Sequence, residues 1–157
     1  MSNHRTEILS QLLSKIEATI PQKEVKNPSV SNATVGWQLD HALKVFNAVS
    51  EWTANSNPED YKYKFNYWRT ILLTSGYFPR GKVKAPKHVL PPETVTTEDL
   101  LKQLETARIH VGKLKSLPEK AYFKHFIFGK LSKKKTLRFL EVHTNHHLKI
   151  INDILKK

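Results

Sequence analysis

The chain has no cysteine, which excludes disulfides, thiolate zinc sites and a protein-borne thiol nucleophile together. Any metal ion must be held by His, Asp or Glu. No apolar run approaches the roughly 18 residues of a membrane span. The N-terminal "MSNHRTEILSQLLSKIEATI" carries charge throughout and lacks the unbroken apolar stretch of a secretory signal. A cytoplasmic protein without a membrane partner is expected. Internal repeats and low-complexity tracts are missing, and no segment reads convincingly as a strand. Acidic residues are scarce: 14 Asp and Glu face 26 Lys and Arg, a formal charge of +12. This excess favours an anionic partner without choosing among nucleic acid, a membrane surface and an acidic small molecule. The densest cluster, Lys133, Lys134 and Lys135, opposes the dipole at the start of the last helix, and the other cations are dispersed. With no nucleic-acid reading motif, a solvated basic surface is expected, and nucleic acid is the lesser alternative.

What is present is one domain's worth of helix. A chain of 157 residues at 39% hydrophobic composition closes a single core without staples, so residues 1–157 are expected to form one domain. The first helix covers about residues 3–20, with Ile8, Leu12, Ile16 and Ile20 every four positions and Pro21 ending it. After the polar link "PQKEVKNPSVSN", a second helix covers about 33–54. A third begins at "NPEDYKYKFNYWRTILLTSG", with Asn57 as cap, Pro58 in the first turn and Gly76 closing. The stretch "YFPRGKVKAPKHVLPPETVT" loses periodicity and carries four prolines, which predicts an extended loop laid over the surface. A fourth helix starts at Thr96 or Thr97, has Glu98 and Asp99 in its first turn and runs to about 116. The aromatic "EKAYFKHFIFGKLS" reads as irregular, and Ser132 caps a last helix to about 155. The expected fold is all-α: an antiparallel four-helix bundle with an accessory helix and a long Pro-rich loop.

Helical projection then singles out histidines. At about 100° per residue, the last helix gathers Leu137, Leu140, His147, Ile150, Ile151 and Ile154 into one arc, with Glu141, Asn145, Lys149 and Asn152 opposite. His143 falls inside the arc one turn before His147, and His146 falls at its edge. In "VGWQLDHALKVFNAVSEW" the buried arc of the second helix is Trp37, His41, Val45, Ala48 and Trp52, with Lys44 at its edge. Leu43 projects to the other side and needs a neighbour of its own. A single inward histidine is ordinarily a hydrogen-bonded core residue. Three inward imidazoles leave several nitrogens to satisfy, and one shared divalent ion satisfies three at once.

These residues also carry a resemblance. "WQLDH" on an early helix and "HTNHH" on the last resemble the DinB-like superfamily of four-helix metal-binding proteins. "FPRGKVKAPKHVLPP" and "HFIFGKLSKK…FLEVHTNHHLKII" resemble an uncharacterised bacterial branch of it. Phe126 follows His125 where that branch often has proline. Matched position by position, the superfamily's metal triad falls on His41, His143 and His147. The resemblance implies a divalent ion, zinc or nickel first and iron or manganese next, and in some relatives transfer reactions of low-molecular-weight thiols. A metal-held thiolate, presented to an electrophilic small molecule, is the chemistry implied here, and the basic surface suits an anionic thiol. Trp37, Tyr122, His125 and His146 are expected to shape the pocket, and no catalytic side chain is assigned. Metal-assisted hydrolysis is an alternative that wants a base, and Asp40 projects about 100° from His41. A non-catalytic basic binding protein with structural histidines is another. Monomer and homodimer both remain open.

Overall fold

The computed structural model describes residues 2–81, 84 and 86–156. It is mostly helical with a small two-stranded sheet. The elements are α1 (Ser2–Thr19), α2 (Val35–Ala54), α3 (Tyr67–Ser75), α4 (Thr97–Ser116), β1 (Tyr122–His125), β2 (Gly129–Ser132) and α5 (Lys133–Leu155), with single 3-10 turns at Ile20–Gln22, Pro58–Asp60 and Lys87–Val89. The four long helices share one apolar core: α1 and α2 each pack against both α4 and α5. None of the helices among the described residues is long and apolar enough to cross a membrane.

Local chemistry sets most of the ends. Thr34 accepts from the Trp37 amide to start α2. Thr96 accepts from the Asp99 amide and donates to its carboxylate, a reciprocal cap that places two acids where the α4 dipole favours them. At the other end of α4, the carbonyls of Lys115 and Leu117 accept from the buried Lys133 ammonium at 3.0 and 2.7 Å. The lysine cluster that opposes the α5 dipole therefore contributes one member that caps α4. Ser132 occupies the cap position of α5, but its side chain makes no capping bond.

Three expectations need correction. The stretch 57–76 is not one helix: Asn57 caps only the turn Pro58–Asp60, and Asn66 then caps α3. Asn66 also donates to the Ile127 carbonyl, and the buried Arg69 donates to the carbonyls of Lys64 and Phe128, so tertiary bonds hold the intervening residues out of the helix. Gly76 does close α3, at φ 67, where a β-carbon would also run into the Arg138 guanidinium.

The segment 119–132, read as irregular, holds an antiparallel hairpin pairing Tyr122 with Ser132 and His125 with Gly129, so the fold is not all-α. Its three-residue tip, 126–128, is followed by Gly129 at φ 68, the left-handed conformation that returns the chain into β2. Finally, the Pro-rich loop does not simply lie on the surface, because Val89 is buried in the core against α2.

Two details of the helical projections also change. Glu141, expected on the solvent side of α5, is buried between Arg5 and Arg138, which neutralise it. Trp52, expected inside, is 44% exposed. Leu43 finds its neighbours: α2 touches α4, α5 and β1, so it is buried nearly all round.

Candidate metal centre

His41 lies two turns into α2, and His143 and His147 occupy successive turns of α5. His41 and His147 are buried, while His143 is half-buried with its ring on a cavity. The three rings converge, with centroids 5.4 Å apart for His41 and His143, 4.8 Å for His41 and His147 and 4.7 Å for His143 and His147. One ring nitrogen from each lies within 4.8 Å of the others. Nitrogens sharing a tetrahedral ion at about 2.0–2.1 Å sit about 3.4 Å apart, so small ring rotations would bring the three together.

Hydrogen bonds fix which nitrogen is free. His41 Nδ1 is 2.8 Å from the Val89 carbonyl, and His147 Nδ1 is 2.6 Å from Gln38 Oε1. Both oxygens only accept, so Nδ1 carries the proton in each ring and Nε2 keeps its lone pair. This is how metal-binding histidines are commonly oriented, with a carbonyl or carboxylate behind each ring. Trp37 stacks on His41 and Phe139 on His143, which limits the swing of both rings.

Electrostatics agree with the donor role. Burial drives the His143 and His147 imidazoles well below their ordinary range, and neighbouring histidines add repulsion. Burial also lowers His41, against the opposing effect of its bond to Val89. Neutral imidazole is the form that coordinates. The donor set thus fits one divalent ion of the kind imidazole suits.

The triad forms part of the wall of an open cavity of about 1280 Å³. The lining includes His88, His125 and His146 beside the triad, all three tryptophans and the phenylalanines 78, 123, 126, 128 and 139. Among the described residues no Asp or Glu lines it, although the chain has 14. Asp40, next to His41, turns toward α4, where it accepts from Gln103 at 2.7 Å, and it pairs with Lys44 one turn along α2 at 2.6 Å.

Of the expected pocket residues, Trp37, His125 and His146 line this cavity and Tyr122 does not. Strand alternation accounts for part of the split, although Lys124, on the same face as Tyr122, still reaches the cavity's rim. Phe123 and His125 share the inner face of β1, while Tyr122 points outward to Tyr61, with the Lys130 ammonium 4.5 Å from its ring centre. His125 is stacked on Phe126 and Phe128, and its Nδ1 accepts from the Ile127 and Phe128 amides, so it also shapes the hairpin tip. Burial lowers its pKa to about 4. His146 borders the triad, edge-on to His147, and hydrogen-bonds the backbone of Phe78.

Sequence reading missed Gln38, Val89, His88 and Phe139. Gln38 was findable, since a residue three before His41 shares its face of the helix. Val89 had no such signal, because any residue's carbonyl could have served.

No protein-family model, curated protein or solved structure matches the chain. The metal reading therefore stands on the geometry.

Proposed function

We propose that the chain is a metal-binding four-helix bundle of the DinB-like kind, formed by α1, α2, α4 and α5, in which His41, His143 and His147 hold one divalent ion. Following the resemblance, we propose further that the loaded protein promotes bond formation between the sulfur of a low-molecular-weight thiol and an electrophilic carbon of a small molecule, the thiol proton passing to solvent and the electron pair to the group displaced from that carbon. The observation that carries the metal reading is the pair of oxygens behind the triad: Val89 O and Gln38 Oε1 hold Nδ1–H on two rings and leave Nε2 free.

His41, His143 and His147 would hold the ion as neutral imidazoles, leaving it a net positive charge and open positions, and the chemistry it would supply is Lewis-acid activation of a thiol. The chain's own residues do the rest. Burial keeps the imidazoles unprotonated, Trp37 and Phe139 brace the rings, and the apolar walls offer a surface for the apolar part of a substrate. Because the chain lacks cysteine, the thiol comes from solution. Hydrolysis is the weaker reading, since no carboxylate base lines the cavity among the described residues and Asp40 is engaged elsewhere.

Elemental analysis of protein purified without tag or chelator tests the first part. One ion per chain is expected, lost on His41→Ala, His143→Ala or His147→Ala in variants whose helical circular dichroism is intact. Titrating the cobalt-loaded protein with cellular thiols tests the second, by the appearance of a sulfur-to-cobalt charge-transfer band. A loaded triad whose spectrum no thiol changes would exclude thiol transfer while leaving the metal site.

A further inference from the structure

The make-up of the cavity wall limits what can fill it. The aromatic rings and aliphatic side chains such as Val45, Val49, Leu72 and Ile150 provide a surface for apolar groups. A buried charge placed against them would lack partners, which is costly. Among the described residues the charged members of the lining are Arg80, Lys84 and Lys124, all cationic and all exposed, which puts them at the mouth. Arg80 shares its guanidinium with Asp153 at 2.7 Å, and Asp153 itself does not line the cavity.

We propose that the cavity binds an amphipathic organic anion, with its apolar body against the aromatic wall and its single negative head at the mouth between Arg80, Lys84 and Lys124. This deepens the functional reading by naming a substrate class, and it rests on that reading for the cavity's role as a binding site. A neutral amphiphile would leave the cationic mouth unused, and an organic cation would be repelled there. A small polar anion would leave the apolar wall wet. Complementarity to both parts favours a molecule with both characters.

All three tryptophans line the cavity, so intrinsic fluorescence reports its filling. The test compares dodecanoate, below its micelle concentration, with dodecanol and dodecyltrimethylammonium, on both metal-free and cobalt-loaded protein. Saturable binding of dodecanoate is expected in both forms, with the alcohol and the cation weaker by about tenfold or more. Replacing Arg80, Lys84 and Lys124 together by Gln should weaken dodecanoate by about tenfold. Replacing Lys102, Lys113 and Lys115 of α4, which lie outside the cavity, removes the same net charge and should leave its affinity unchanged.

Equal affinity for the three amphiphiles, an equal loss in the α4 control, or binding only when cobalt is present would overturn the proposal. The cobalt absorption recorded in the same samples separates the two readings. Cobalt bound without a dodecanoate response defeats the substrate class alone, and a dodecanoate response without cobalt binding defeats the metal site alone.

Discussion

The molecule has two unlike sides. On one, α1 and α4 present aliphatic side chains, such as Leu9, Leu13, Leu100 and Leu104, each at most 1% exposed, and among the described residues none of either helix lines the cavity. On the other, α2, α5 and the hairpin bury histidines, Gln38 and aromatic rings around open space. Close packing stabilises the first side, while the second gives up packing and leaves polar groups to be satisfied one by one. A cavity lined with neutral imidazoles is costly on its own, so the aliphatic side has to carry the fold.

Substitutions should separate the two sides, and the largest effect is expected in the aliphatic one. Leu104→Ala should lower the unfolding free energy by about 2–5 kcal/mol, the usual cost of truncating a fully buried leucine. Chemical denaturation would measure it, and the folded fraction should still bind one metal ion per chain. Loss of metal with stability intact would mean that the two sides are not separable.

On the site side, Gln38→Leu removes the oxygen behind His147 without touching a ligand. Metal affinity should fall by about 10–100-fold, with a much smaller change in the stability of metal-free protein. Competition with a chromophoric chelator reads this, and unchanged affinity would show that Gln38 does not orient the ring.

Acid should weaken the site side selectively. His125, His41, His143 and His147 all have folded pKa values below the ordinary imidazole value, His125 at about 4. The unfolded chain therefore takes up protons first. The stability these groups contribute is fully present above about pH 6.5 and declines as the pH falls, with the His125 share gone below about 4. Thermal midpoints of the metal-free protein should fall across that window. His125→Asn keeps an acceptor for the Ile127 and Phe128 amides but cannot titrate there, so its decline should be shallower.

The smallest effect is expected from His146→Ala. His146 lines the cavity beside the triad but is not one of the three convergent nitrogens, so metal content should stay near one ion per chain. If His146→Ala lost the ion and His147→Ala kept it, the assignment of the α5 ligands would be reversed.

Much of this was legible locally. Pro21, Thr96 and Gly76 mark ends of helical segments because prolines, caps and left-handed glycines act on their own backbone. The inward histidines were legible because about 3.6 residues per turn relates His143 to His147 regardless of what surrounds them. The hairpin was not, since strands of four residues rich in Lys and aromatics have no periodicity to detect. Glu141 was misjudged because its exposure depends on Arg5, which is 136 residues away in sequence.

By itself, then, the sequence determined the positions of the long helices, the face on which His41, His143, His146 and His147 sit and the absence of a protein thiol. All three are properties of a residue and its near neighbours. Only the tertiary structure decided that the Val89 carbonyl stands behind His41 across 48 residues and Gln38 behind His147 across 109, and that the hairpin walls a cavity free of carboxylates among the described residues. The physical reason is that a buried polar atom needs a partner but does not specify which one. That choice falls to whichever segment chain closure brings within hydrogen-bonding distance.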